Sequence, residues 1–353
     1  MKNIERLRHL PGSLSATITV DDELYSYFGG TAYLGIPQNT AFLQHYVRGL
    51  SLFGLNNGTS RNNNIQLNIY NEAEDYAADY FKAEGALISS SGYLAAQTAV
   101  HYAAQLGQVA YAPATHPALW LDGNPGVDGN FIAWRERISA KIQQGDARDW
   151  VLISNSMNNL FPEIYDFSFL SHLSSEKRIT LLIDDSHGIG VLNNGMGAQR
   201  VIPGVDVIYV ASMAKGPGVD AGLILGSSAH ISALKQMPQF PGASPPNAAG
   251  LYAFMHGSAI YQEEHDQLRD LQYHMMHQLV VQDYFEYIPE FPVFLHRDKG
   301  LADRLMEQGI LISAFPYPDN DGPPLNRVVV SSWHTQFQLD SLIRSLSAVL
   351  KAS

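Results

Sequence analysis

The sequence predicts an α/β fold: a large domain with a mixed, mostly parallel sheet flanked by helices, joined to a smaller α+β domain. Three observations carry this. From residue 86 onward, short apolar runs alternate with segments whose apolar positions recur at helical spacing, and strands alternating with helices imply a mostly parallel sheet. After about residue 250 the texture changes to one long helical stretch followed by mixed short elements. Finally, 353 residues, 46% hydrophobic and 16% charged, suit two packed domains of roughly 100–200 residues better than one small core.

In chain order, ALISSS (86–91) reads as a strand and GYLAAQTAVHYAAQL (92–106) as the helix after it. QVAYAP (108–113) is the next strand, and FIAWRERISAKIQQ (131–144) has helical spacing. WVLISNS (150–156), ITLLIDD (179–185), DVIYVAS (206–212) and GLILGS (222–227) are β-rich runs too short for helices. A single long helix is expected over 246–280. Strand FPVFLH (291–296), helix GLADRLMEQG, strands ILISAF and NRVVVSSW, and helix TQFQLDSLIRSLSAVL complete the chain. Residues 17–37 are expected to return to this C-terminal part. The boundaries expected are 42–262 for the large domain, with 1–41 and 263–353 forming the small one.

Composition excludes several function classes. Net charge is 22 − 34 = −12, and an acidic chain without a basic stripe is poorly suited to nucleic acid or anionic membranes. The absence of cysteine removes disulfides, thiolate nucleophiles and Cys-type zinc sites. The start, MKNIERLRHLPG, lacks the apolar core of a signal peptide, and no run reaches the ~18 apolar residues of a membrane helix. The expectation is a cytoplasmic protein.

Five places carry chemistry. Lys215, in DVIYVASMAKGPGVDAG, follows an apolar strand among small residues; desolvation there favours the neutral amine that forms imines, although an ordinary lysine at a strand end fits as well. Asp184 and His187, in ITLLIDDSHG, close another apolar run. A carboxylate there needs a cation or donors. A protonated pyridine nitrogen meets that need, as do a helix cap or a metal-binding Asp-His pair, though no third ligand stands at metal-site spacing. Small residues in SSSGYLAAQ (89–97) place free N–H groups at a helix start, a natural phosphate site. His116, in YAPATHPALW, comes shortly after a strand and can stack on an aromatic group. Arg327, opening NRVVVSSWHT, can grip a carboxylate through two parallel hydrogen bonds.

Together with NGTSR (57–61), DDSHGIGV, SMAKGPG, LADRLMEQGILISAFPYP and VVVSSWHT, these motifs resemble the α-oxoamine synthase family, over roughly residues 17–350. The resemblance implies the aspartate-aminotransferase fold, that is, fold type I of the transferases using pyridoxal 5'-phosphate (PLP). It implies a Schiff base on Lys215, Asp184 paired with the pyridinium, His187 on the ring's phenolic oxygen and His116 stacked on the ring. Gly92, Tyr93 and Ser212 would contact the phosphate, Ser156 would lie near the cofactor, and Arg327 would bind the amino-acid carboxylate. The implied reaction condenses a small amino acid with an acyl thioester, carried on coenzyme A or a carrier protein, in a homodimer. An aminotransferase, or a PLP-fold protein that has lost catalysis, uses the same parts. The chain departs from the family at Thr31 and Ala32 before Tyr33-Leu34-Gly35, at Tyr70 where a histidine is usual, and at Phe240–Ser244. It also lacks most of the basic N-terminal helix that binds coenzyme A in the family.

Overall fold

The computed structural model describes residues 7–158, 160–173, 177–198, 200–279, 282–316, 322 and 324–351. The chain opens with a hairpin, β1 (Thr17–Val20) and β2 (Glu23–Phe28), followed by α1 (Thr40–Phe53) and α2 (Ile69–Tyr80). Then come β3 (Gly85–Ser89), α3 (Gly92–Ala103), β4 (Gln108–Tyr111), α4 (Phe131–Gln144) and β5 (Asp149–Asn155). A small ribbon, β6 (Met157–Asn158) and β7 (Glu163–Ile164), precedes β8 (Arg178–Asp184), β9 (Val205–Ser212) and β10 (Gly222–Gly226). Short α5 (Ser228–Leu234) and α6 (Gln239–Gly242) lead into α7 (Ala248–His256) and α8 (Ser258–Gln278). The chain ends with β11 (Val293–His296), α9 (Leu301–Met306), β12 (Ile310–Pro316), β13 (Pro324–Val329) and α10 (Gln336–Lys351).

Six strands form the larger sheet in the order β3-β10-β9-β8-β5-β4. β9, β8, β5 and β4 run parallel, while β10 is antiparallel to both neighbours. The parallel run gathers the carboxyl ends of four strands along one edge, where α/β sheets bind ligands. Their unbroken apolar character follows from burial on both faces. Leu182, Ile208, Val210 and Ile224 pack with Ala95, Ala99 and Leu234 on one side. Leu181, Ile183, Tyr209 and Leu223 pack with Trp134 and Leu251 on the other.

The second sheet has the order β1-β2-β12-β13-β11. β2 lies parallel to β12, so residues 17–28 do return to the C-terminal part. Buried Leu339, Leu342 and Leu346 of α10 seal this sheet's core. Among the described residues, no helix is long and apolar enough to cross a membrane.

Three sequence expectations change. The helix expected over 246–280 is two helices broken at Gly257, whose N–H donates to the Phe254 carbonyl (3.2 Å). A Cβ at Gly257 would stand 3.0 Å from the Phe42 ring, so the break is where α1 packs across. The helix expected to reach 106 ends at Ala103. The strand expected through Trp333 ends at Val329, because Ser331–His334 form a turn closed by the His334 N–H and the Ser331 carbonyl (3.1 Å).

Candidate active site

Lys215 lies in the turn leaving β9. That turn is packed tightly enough to need glycine twice. A Cβ on Gly216 would be 2.4 Å from the Ile189 carbonyl, and Gly218, at φ +66°, abuts Ile36. Tyr261 Oη adds a 2.9 Å hydrogen bond to the Pro217 carbonyl. The result fixes Lys215 Nζ 3.1 Å from His187 Nε2. Burial lowers the lysine pKa; Asp184 opposes this and Arg327 reinforces it. The neutral amine, the nucleophilic form, is thereby favoured.

Asp184 ends β8, in register with Asn155 of β5 and Val210 of β9. It is half-buried, and its Oδ1 accepts the Ser186 N–H (2.9 Å). His187 sits in the turn that follows. Its pKa falls well below the ordinary value through burial, with Lys215, Arg327 and His116 adding repulsion. Tyr33 Oη lies 2.8 Å from His187 Nδ1. Burial pushes Tyr33 up to about 12, against the opposing pull of Arg327, so the phenol keeps its proton while it pairs with Nδ1. Tyr33 was not among the residues singled out from the sequence; its position between Ala32 and Leu34 in TAYLG was the only signal for it.

His116 begins a short 3₁₀ turn, and its Nδ1 accepts the Ala118 N–H (3.2 Å). Burial of part of the ring lowers its pKa, with Asp184 opposing and Lys215 adding. The residue nonetheless keeps an exposed surface, which leaves ring area free to meet a ligand.

At the start of α3, Ser91 caps the helix by accepting the Leu94 N–H (3.2 Å). The N–H groups of Gly92 and Tyr93 have no intrahelical acceptor. A Cβ on Gly92 would lie 2.5 Å from Ser212 Cβ, so only glycine lets this helix start reach the end of β9. Ser212 is held there by its N–H to Ser186 Oγ (2.8 Å). The Tyr93 side chain is 62% exposed, which leaves its backbone N–H as the group aimed at this corner.

Arg327 enters from β13 of the second sheet. It is 5% exposed, and its Nε and Nη2 have no hydrogen-bond partner among the described residues. Buried donors of this kind are seldom left unmet in native structures, and a carboxylate meets both at once. Ser156 stands apart. Its N–H donates to the Asp184 carbonyl (2.8 Å), but its hydroxyl lies beside Asp185, in the wall of a cavity of about 490 Å³ with Tyr165, Ile183 and Arg200. Ile183 and Asp184 alternate across β8, so this cavity and the Lys215 cleft lie on opposite faces.

The structure thus brings Lys215, Asp184, His187, His116 and Arg327 into one electrostatic neighbourhood, with Gly92, Tyr93 and Ser212 at its rim. A phosphorylated pyridine aldehyde fits this donor set. The helix start and Ser212 suit the phosphate, Asp184 the ring nitrogen, His187 the phenolic oxygen and Lys215 the aldehyde carbon. The model of the family described as aminotransferase class I and II matches residues 125–346, a stretch that includes Asp184, His187, Lys215 and Arg327.

The chain belongs to the aminotransferase class I and II family. Its fold is that of the PLP transferases of fold type I, and its cofactor is PLP. Within the family it is similar to 8-amino-7-oxononanoate synthase of Lysinibacillus sphaericus, 23% identical over 98% of this chain and 94% of that one. The synthase of Thermosipho melanesiensis is also 23% identical, over 98% and 93%. Among solved structures, serine palmitoyltransferase of Sphingomonas wittichii superposes with a TM-score of 0.83 at 16% identity, covering 98% of this chain and 92% of that one. 8-Amino-7-oxononanoate synthase from Francisella tularensis gives 0.71 at 18% identity, over 93% and 98%.

Proposed function

We propose that this protein is an acyltransferase of the α-oxoamine synthase type. It joins a small amino acid to an acyl thioester, releasing carbon dioxide and the free thiol and leaving an α-amino ketone. One observation carries the reading: a buried amine, its pKa lowered by desolvation, shares a cleft with a buried guanidinium that has unmet donors, in a chain whose near-full-length relatives are named as such synthases.

The bound cofactor supplies an electron sink for negative charge at the amino-acid α-carbon. The chain's own groups do the rest. Arg327 takes the amino-acid carboxylate through Nε and Nη2 and so sets which α-bond faces the ring. Lys215 stands ready to take the α-proton, and its lowered pKa favours the unprotonated form that this needs. Asp184 holds the ring nitrogen in its protonated form. His187, oriented by its contact with Tyr33, would bond the phenolic oxygen through Nε2. His116 covers one face of the ring. The N–H groups of Gly92 and Tyr93, with Ser212, anchor the phosphate, and Ser156 supports Asp184 through the backbone.

A second copy of the chain is the proposed partner. α1 and the segment after it expose Leu43, Val47, Leu52 and Leu55, each more than half exposed, an apolar patch of the kind that interfaces cover. Light scattering at the monomer mass of 38.9 kDa would refute the dimer.

The family model also covers transamination, and one assay separates the two reactions. The PLP-loaded protein is given amino acids with and without acyl thioesters, on coenzyme A and on a carrier protein. Carbon dioxide released only with thioester supports the synthase. A keto acid formed without thioester overturns it in favour of amino transfer.

A further inference from the structure

Asn155 has no part in the roles above, yet its buried amide is committed entirely to the loop that carries His116. It ends β5, is 7% exposed, and pairs with Asp184 across the strands. Its Oδ1 accepts the His116 N–H (3.1 Å), and its Nδ2 donates to the Ala114 carbonyl (2.7 Å). Between those two contacts the backbone does something alanine resists: Ala114 adopts φ +55°, the left-handed region that crowds a Cβ against the following carbonyl. Ala114 is exposed, so packing of its methyl group does not hold it there.

The loop is pinned on either side by other contacts. Upstream, the Ala112 N–H donates to the Ile153 carbonyl (2.8 Å). Downstream, Trp120 Nε1 donates to the Thr115 carbonyl and Oγ1 (both 3.1 Å). The left-handed step between them is bridged by the Asn155 amide, which ties the residue before Thr115 to the residue after it. Without that step the chain leaving β4 would continue extended and carry His116 away from Asp184 and Lys215.

We propose that Asn155 is a positioning residue. Its amide holds Ala114 in the left-handed turn and so sets the plane of the His116 imidazole in the cleft. This rests on the reading of that cleft as the PLP site. Sequence reading passed over Asn155 because its neighbour Ser156 carried the expected motif.

The test is a double-mutant cycle in the full-length protein, read by the PLP dissociation constant and the position of the bound cofactor's visible absorbance band. Asn155→Ala is expected to weaken PLP binding about tenfold, the effect of losing one to two hydrogen bonds, and to shift the band. Adding Ala114→Gly, which accepts φ +55° without crowding, should restore much of the affinity. In a His116→Ala background, Asn155→Ala should change PLP binding little further. Asn155→Asp, which keeps the bond to the His116 N–H but turns an oxygen toward the Ala114 carbonyl, should fall in between and covers the case of an unfolded alanine variant. Equal losses with and without His116, or no recovery with Ala114→Gly, would overturn the role of Asn155 in a protein that still binds PLP. Wild-type protein that binds no PLP would overturn the cleft assignment, and the proposal with it.

Discussion

Gly92→Ala puts the phosphate corner under direct strain. The added Cβ would stand 2.5 Å from Ser212 Cβ, 2.7 Å from its Cα and 3.1 Å from its nitrogen. Carbon–carbon contacts settle near 3.5–4.0 Å, so the first turn of α3 must withdraw from β9 by about 1.0–1.5 Å. The rest of the helix cannot follow, because Ala95, Ala96, Ala99 and Val100 are at most 1% exposed against the sheet. The displacement therefore falls on the turn that presents the N–H groups of Gly92 and Tyr93. A hydrogen bond of ~2.9 Å lengthened by about 1 Å is no longer one. Each charge-assisted bond lost costs about 1.5–3 kcal/mol, which sets the expected loss of PLP affinity at roughly 10–100-fold. Equilibrium dialysis with PLP, and with pyridoxal as a ligand lacking the phosphate, measures it. Affinity for PLP should fall while affinity for pyridoxal holds. Unchanged PLP binding, or equal loss of both ligands, would refute the assignment of this corner to the phosphate.

Arg327→Leu should raise the KM for the amino acid by about 10–100-fold and leave PLP affinity in place. Thermal stability should change little, since Nε and Nη2 surrender no hydrogen bond and replacing a buried charge by an apolar group offsets the lost bond between Arg327 and Tyr33; a markedly lower melting temperature with unchanged KM would contradict the role. His334, 1% exposed, is bonded through Nε2 to the Tyr27 carbonyl (2.9 Å) and through Nδ1 to the Ser331 backbone, and burial takes its pKa down to about 4. Because that lies below the unfolded value of 6.5, the unfolded chain binds the proton first as pH falls. Stability present above about pH 6.5 is therefore lost progressively toward pH 4, by roughly 3 kcal/mol at about 1.4 kcal/mol per pH unit. His334→Gln should flatten the melting temperature across that window, and an unchanged slope would show the loss to have another source.

The strands were legible almost to the residue because they are buried on both faces. Runs such as Trp150–Ile153 and Val207–Ala211, bounded by polar residues, leave little choice of ends, and α4 matches its expected span because Asn130 caps it and Gly145 stops it. Features set by distant chain were not legible. The helical pattern runs on through Gly257 in the sequence, and the ring that interrupts it belongs to Phe42, more than 200 positions earlier. The strand-end residues of the site could be grouped from topology alone, since parallel strands bring their carboxyl ends together. Tyr33 could not, because it reaches His187 across 154 positions from a turn between β2 and α1. Ser156 shows the opposite failure. The strand expected to include it ends one residue earlier, at Asn155, and its hydroxyl lies toward Asp185 instead of the cleft.

Strand alternation also decides which of two adjacent acids faces the cleft. Asp184 and Asp185 are indistinguishable by type, and a one-residue slip of β8 would exchange them. In the observed register, Asp184 is half-buried and opens toward Lys215 and His116. Asp185 is 3% exposed and turns into the molecule, where its Oδ2 accepts the Ala198 N–H (2.8 Å). Gly188 and Gly197 make room for it, since a Cβ on either would fall about 2 Å from a carboxylate oxygen. Burial raises Asp185 to about 7, and the neighbouring Asp184 charge adds to the rise. Near neutral pH, therefore, Asp185 resists carrying a charge. The placing of one carboxylate at the cleft and the other inside the molecule follows from backbone register and two glycines, which is why the motif's order, and not only its composition, supports the proposal that Asp184 meets the ring nitrogen.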